Sequence, residues 1–455
     1  MLYFMTLNKV LNSEVRERKH LNEANAAFLV LASILVLFMT PGLAFFYGGL
    51  VSKRNVVNTM LSVFFITGLA ILLWIIVGYS LSFSGDHFGV FGDLHQFFHQ
   101  NFSMTKMTAT TTKIPDGLYS VFEMMFAIIT PALFVGAVVG RMKFKFLFLF
   151  IIFWSILVYY PMVHMVWSAS GILFKMGTLD FAGGTVVHID AGITALVLSI
   201  FLGKRVEYKE PEHYNLPWVL LGTTILWIGW YGFNAGSAFG ISTVAVQATM
   251  TTTVATASAM ISYMMIDVFR TGKPSLVGVC TGTLCGLVAI TPACGYVTIT
   301  GAFFIGIAGT CCSYFFINYL KGKLGVDDTL DAFGAHGVSG IVGSIATGLF
   351  ATKSVNSAVT NNGLFYGGGF KLFGTQLFAT AFTIVFVSIM VIIITVILKA
   401  ITPIRVSEKE ERLGLDFGEH GEHADYAVAT EADSDVDTFR KEFKGQLAQL
   451  NGHKN

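Results

Sequence analysis

The sequence predicts an all-α polytopic membrane protein: eleven transmembrane helices, a five-plus-five inverted repeat plus one helix, with one pore per subunit. Three observations carry this. The 455 residues are 54% hydrophobic and only 13% charged, unlike an ordinary soluble domain. Apolar stretches of about 20 residues, enough to cross a bilayer, recur along the chain. Two similar segments, Leu179-Asp180 through His188-Ile189-Asp190-Ala191-Gly192 and Leu330-Asp331 through His336-Gly337, each lead into such a stretch.

The spans are expected at 25–49, 58–83, 117–140, 146–167, 184–203, 217–239, 242–269, 275–293, 297–320, 334–352 and 372–401. The sixth and seventh are separated by little more than Gly240-Ile241. The 47 glycines suit close helix–helix contact in lipid. This gives three regions: an extracellular segment 1–24, a transmembrane domain 25–401 and a polar, acid-rich cytosolic tail 402–455.

Basic residues set the orientation. Loops after odd-numbered spans hold 12: Lys53, Arg54, Arg141, Lys143, Lys145, Lys204, Arg205, Lys209, Arg270, Lys273, Lys321 and Lys323. The alternate loops hold 5: Lys106, Lys113, Lys175, Lys353 and Lys371. The first set is therefore expected in the cytosol, with the N-terminus outside and the C-terminus inside. Lys9, Arg16, Arg18 and Lys19 in the N-terminal segment count against this, although Glu14, Glu17 and Glu23 lie among them. That segment also lacks the pattern of a cleaved signal.

The two similar segments open spans five and ten. Five spans apart means opposite orientation, the mark of an inverted repeat with its substrate path near the midplane. The pairing sets Leu179-Asp180 against Leu330-Asp331, and His188 against His336 across the interface. Ionisable groups are costly in a membrane and are rarely kept there without a role.

The loop 84–116 is expected outside. It carries Asn101-Phe102-Ser103, the only Asn-x-Ser/Thr sequon, a glycosylation site if the chain passes through a secretory pathway. His87, His95 and His99 in that loop are irregularly spaced, so a solvated loop is favoured over a zinc site. Cys280, Cys285, Cys294, Cys311 and Cys312 have no metal-finger spacing and read as buried, inert thiols. No metal or cofactor is expected. A net charge of +1 argues against a nucleic-acid partner.

Four motifs resemble the ammonium transporters of the Amt/Mep family. Met39-Thr40-Pro41-Gly42-Leu43-Ala44-Phe45-Phe46-Tyr47-Gly48-Gly49-Leu50 resembles the family's first-span signature. Asp180 through His188 resembles its fifth-span motif, and Trp230-Tyr231-Gly232-Phe233-Asn234-Ala235-Gly236-Ser237 its sixth. Asp327-Asp328-Thr329 through His336-Gly337 resembles the lead-in to its tenth. The likeness runs from about residue 25 to 425. It implies ammonium or ammonia as substrate, methylammonium as an analogue, and a homotrimer in a lipid bilayer, most simply the plasma membrane, with an internal membrane as the alternative.

The resemblance also assigns residues. Trp167, Phe126 and Ser237 would recruit the cation at the outer mouth. Aromatic faces attract it, and the hydroxyl accepts an N–H bond that potassium cannot offer. Phe126 and Phe233 would be stacked gate rings; on residue type alone, either of these among 42 phenylalanines is packing. His188 and His336 would be the twin histidines of the pore. Imidazole both donates and accepts near neutrality, so the pair can take a proton from ammonium and hydrogen-bond ammonia. The bland alternative is two packed histidines. Asp180 is either a helix N-cap or a charge that stabilises the cation nearby, and the two readings are compatible.

Two residues depart from the pattern. Glu123 stands where the family has Gln, and Asp190 is a charge expected to cap or pair elsewhere. His164, three residues before Trp167, is assigned to structure. Arg412-Leu-Gly-Leu-Asp-Phe-Gly-Glu-His-Gly421 resembles the family's C-terminal segment, which packs under a neighbouring subunit. Gly418 stands near where plant members carry a regulatory threonine. Ser407, Thr430, Ser434 and Thr438 are generic phosphorylation candidates, and the tail is the natural seat for a cytosolic regulator.

Transport is the leading reading. The alternatives are an ammonium sensor signalling through the tail, an Rh-type ammonia channel, and a membrane hydrolase using His188, His336 and Asp180. Trp167 and the Phe126/Phe233 pair favour Amt over Rh. Nothing resembling a nucleophile elbow or metal spacing supports the hydrolase.

Overall fold

The computed structural model describes residues 21–206 and 213–425. Among them there is no strand, only isolated bridges such as Met142 with Arg405. Among the described residues ten helices are long and apolar enough to cross a membrane: Glu23–Leu50, Lys53–Phe83, Asp116–Val138, Phe144–Lys175, Gly184–Leu202, Leu216–Gly236, Thr243–Thr271, Ile299–Leu324, Phe333–Phe350 and Phe370–Lys399. The expected eighth span is the shorter apolar helix Leu276–Ile290. All eleven expected segments are thus helical. Lys209 of the orientation count, residues 1–20, and Thr430, Ser434 and Thr438 lie outside the described residues.

Side chains such as Phe64, Leu72, Val246, Phe269 and Ile397 are exposed along the spans, a lipid-facing surface that a soluble fold would not present. Spans six and seven part over residues 237–242, where Phe239 takes a left-handed φ of 55° and Asn25 Oδ1 accepts the Ile241 N–H at 2.9 Å.

The inverted repeat shows in backbone detail. Spans four and nine each carry a five-residue π-turn, Ser155–Tyr159 and Phe316–Leu320. Spans five and ten each begin with a six-residue one, Gly184–Ile189 and Phe333–Val338. Such bulges gather at functional positions. Spans five and ten cross in backbone contact: a Cβ on Gly192 would stand 2.3 Å from the Gly337 Cα. Spans one and six, another pair related by the repeat, do the same, since a Cβ on Gly222 would stand 2.4 Å from the Phe46 nitrogen. Without a hydrophobic drive inside lipid, such close packing holds helices together.

One residue pairing from the sequence is corrected. Asp331 is not the counterpart of Asp180. It takes a left-handed φ of 58° and pairs with Lys321. The counterpart is Asp328, whose carboxylate accepts the Ala332 N–H at 2.9 Å and the Phe333 N–H at 2.7 Å at the start of span ten.

The loops after spans one, three, five and nine meet the tail at one end of the bundle. Arg205 grips Asp327 through two side-chain nitrogens at 2.9 Å each. Arg141, fully buried, donates to Thr329 Oγ1 and the Asp327 carbonyl. Tail residue Arg405 pairs with Glu411 at 2.7 Å, and Glu411 accepts the Val206 N–H at 2.7 Å. Asp416 accepts the Asn58 N–H at 2.8 Å, at the first turn of span two. The Ser407 hydroxyl is held in a capping box with Glu410.

Two further expectations change. Cys280, Cys285 and Cys294 are buried, but Cys311 and Cys312 are exposed on span nine. His99 is not simply solvated: its ring packs on Tyr79 and Phe102, and Nε2 meets Ser120 Oγ at 2.9 Å.

Candidate functional site

The site begins where span four ends. The Trp167 indole N–H donates to the Asp180 carbonyl at 3.1 Å, tying the end of span four to the lead-in of span five. Asp180's carboxylate is fully engaged locally. Oδ1 accepts from the N–H groups of Gly183 and Gly184 at 2.8 and 2.6 Å. Oδ2 accepts from the Thr185 N–H at 2.8 Å and from its hydroxyl. These are the free donors at the start of a helix, so the capping reading of Asp180 holds. Gly183 permits the turn, with φ at 117°.

From Trp167 a column of rings runs into the bundle. Phe126 on span three meets Trp167 edge-on, centroids 5.7 Å apart. Phe126 and Phe233 on span six lie 4.4 Å apart. At that separation the rings touch, so nothing passes between them unless one moves. Phe233 then stacks on His188 at 5.9 Å, and His188 on His336 at 5.4 Å with ring planes 16° apart. Both imidazoles are buried, each inside the π-turn that opens its span. Ser237 follows span six directly. Its hydroxyl donates to the Phe233 carbonyl at 2.9 Å, which leaves its lone pairs free to accept.

The structure thus brings Trp167, Phe126, Phe233, His188 and His336 into one column, with Ser237 and Asp180 attached toward its Trp167 end. Asn101 lies elsewhere, on the exposed loop, its side-chain nitrogen donating to the His95 carbonyl at 3.1 Å. Trp230 was not singled out from the sequence, yet its ring stacks on His188 at 5.4 Å while its N–H is held by Thr291 at 2.9 Å.

Nδ1 and Nε2 of His188 and Nδ1 of His336 are buried with no hydrogen-bond partner among the described residues. Buried polar atoms are normally satisfied, and exceptions call for an explanation. The bland alternative of two histidines hydrogen-bonded to each other or to backbone therefore loses its main support. Asp190 is a second exception. It was expected to cap or pair, but it is fully buried and neither carboxylate oxygen has a partner among the described residues. Glu123 is buried one turn before Phe126 on span three. Among the described residues, no three His, Cys, Asp or Glu side chains come together as a metal site.

Residues 27–425 match the model of the Ammonium Transporter Family. The chain is 45% identical over 406 residues to an ammonium transporter of Aquifex aeolicus (strain VF5), covering 89% of this chain and 94% of that one. It superposes on the crystal structure of Saccharomyces cerevisiae Mep2 with a TM-score of 0.82 at 32% identity, over 91% of this chain and 95% of that one. A structure described as a sensor Amt protein is also similar, with a TM-score of 0.80 at 26% identity, over 88% and 98% of the two chains. With a family match spanning nearly all its spans and a pore built from that family's motifs, the chain belongs to the Ammonium Transporter Family.

Proposed function

We propose that this multi-pass membrane protein moves ammonium or ammonia inward through the ring-lined path, and that it is a transporter and not an enzyme. The observation that carries the reading is the stacked His188–His336 pair, with three ring nitrogens unpartnered among the described residues, directly behind the touching Phe126 and Phe233 rings.

Magnitudes support a role for proton transfer. Moving a small ion from water into a dry interior costs on the order of 20 kcal/mol before relaxation. A cation–π contact returns only about 2 kcal/mol. Trp167 and Phe126 can therefore gather ammonium at the mouth, with Ser237 accepting one of its N–H groups, but cannot carry the bare ion past the gate. Ammonia carries no charge and escapes that cost. A neutral imidazole offers one accepting and one donating nitrogen, which suits both taking a proton and hydrogen-bonding ammonia. Asp180 acts by shaping the start of span five and by its field, not by touching substrate.

The working assembly is a homotrimer in the plasma membrane, with the N-terminus outside and the tail in the cytosol beside any regulator. The basic-residue count supports that orientation. A cysteine tag in the tail should resist labelling from outside intact cells; labelling would reverse the topology. In a eukaryotic secretory pathway Asn101 would carry the chain's single N-linked glycan, and Asn101→Gln would abolish the glycosidase-dependent gel shift. Uptake of labelled methylammonium by cells lacking their own transporters tests the function. Saturable uptake is expected; none, in cells with the protein at the surface, would favour the sensor reading.

A further inference from the structure

His164 lies one turn before Trp167, at the end of span four, and is completely buried. Its Nδ1 stands 3.0 Å from the Ser82 carbonyl oxygen. Its Nε2 stands 3.1 Å from Asp86 Oδ1. A carbonyl and a carboxylate both only accept. A neutral imidazole has one N–H and one bare nitrogen, so it can satisfy only one of them; the imidazolium satisfies both. The other neighbour of Nε2 is the Ser170 hydroxyl, more distant at 3.4 Å and within 2.8 Å of Ser168 Oγ.

Asp86 is suited to the partner's role. Its Oδ1 also accepts the Gly89 N–H at 2.7 Å, and Lys175 approaches Oδ2 at 4.0 Å. The hydrogen bond from His164 holds its carboxyl below the usual carboxylate range. The remaining titratable groups face elsewhere. In the same loop Asp93 accepts the His95 N–H at 2.9 Å, and His87 packs on Phe91. On neighbouring elements, Asp180 caps span five and Glu123 sits on span three; neither bonds to His164.

The clasp grips the turn behind Trp167. His164's own carbonyl accepts the Ser168 N–H at 3.3 Å, and the Ile172 N–H donates to the Gly89 carbonyl at 2.9 Å. The loop carrying Asp86 is therefore joined to both ends of the 168–172 turn, while the indole is fixed on the other side by Asp180.

We propose that His164 is a positioning residue of the outer recruitment site, held as an imidazolium between Asp86 and the Ser82 carbonyl so that it locks the turn following Trp167. The proposal rests on the reading of Trp167 as a recruitment residue. His164 touches no substrate. Its charge holds the indole in place, and that placement sets the affinity for the cation.

The test uses the full-length protein in lipid, labelled with nitrogen-15 histidine, with methylammonium as the transported probe. At neutral pH the wild type should show a histidine with both ring nitrogens protonated, and His164→Gln should remove that signal. Asp86→Asn can donate its amide to a bare Nε2, which satisfies a neutral ring without removing the contact. It should convert the signal to a neutral tautomer and raise half-saturating methylammonium roughly three- to tenfold, with maximal flux unchanged. Asp86→Glu should restore both. Ser170→Ala, which deletes only the other donor to a neutral ring, should change neither. If the wild-type ring is neutral, the proposal fails whatever the variants do, including an Asp86→Asn protein that does not fold. It also fails if Asp86→Asn keeps wild-type affinity while Trp167→Leu loses it. Unchanged affinity in Trp167→Leu would instead remove the recruitment reading, and this coupling with it.

Discussion

The starts of spans five and ten carry the same parts on different surroundings. Each has an aspartate eight residues before its histidine, Asp180 before His188 and Asp328 before His336. Each aspartate accepts the free N–H groups of a π-turn, and each histidine lies within that turn. The surroundings then diverge. The Asp180 end meets Trp167 and the touching Phe rings. The Asp328 end lies among Arg141, Arg205, Lys321 and the docked tail. A symmetric scaffold thus carries a histidine on each span while its two ends differ, one lined by aromatic rings, the other by ion pairs.

The caps give the largest way to break this comparison. Asp180 accepts from three backbone N–H groups at 2.8 Å or less and from a hydroxyl, whereas Asp328 accepts from two N–H groups. Each buried donor left unpaired costs about 1–3 kcal/mol. Asp180→Ala should therefore lower thermal stability in detergent more than Asp328→Ala, by at least about 2 kcal/mol. Equal losses would mean that the extra bonds of Asp180 contribute little.

The next effect is confined to the aromatic mouth. Trp167→Leu removes a cation–π contact of about 1–2 kcal/mol, so half-saturating ammonium should rise roughly tenfold with maximal flux largely kept. Removal of charge at the other mouth, as in Lys321→Ala, should leave that affinity alone. Unchanged affinity and unchanged competition by other cations in Trp167→Leu would take Trp167 out of the site.

The smallest effect is at the tail. Burial pushes the Asp416 carboxyl up to about 6, although N–H groups at the start of span two favour its charged form. A docked tail therefore binds this proton more tightly than a free one. Docking should strengthen as pH falls from about 6 toward 4 and level off above about 6, where the carboxyl is deprotonated in both states. A spin label at Glu422→Cys should become less mobile as pH falls over that range; no change, or loosening, would contradict it.

Much of this was legible in the sequence because membrane spans are long and their composition is extreme. The residues of the pore line were legible through motifs, in particular Trp230 through Ser237. The Asp328 cap was missed because Leu330-Asp331 copies the letters of Leu179-Asp180, while the signal that mattered was the spacing to histidine. The crossing at Gly192 and Gly337 is a fact of three dimensions that no count of 47 glycines singles out. Asp190 was expected to find a partner because isolated acids are rare in spans; its burial without one among the described residues has no explanation in the pore line.

The most direct test of the account is ammonium flux and potassium leak in liposomes holding His188→Ala, His336→Ala or His188→Glu. If the imidazoles handle the proton, each alanine variant should lose selective ammonium flux while still assembling. The carboxylate of His188→Glu should retain cation passage but lose discrimination against potassium. Wild-type, selective flux in both alanine variants would contradict the twin-histidine mechanism and return the pair to packing.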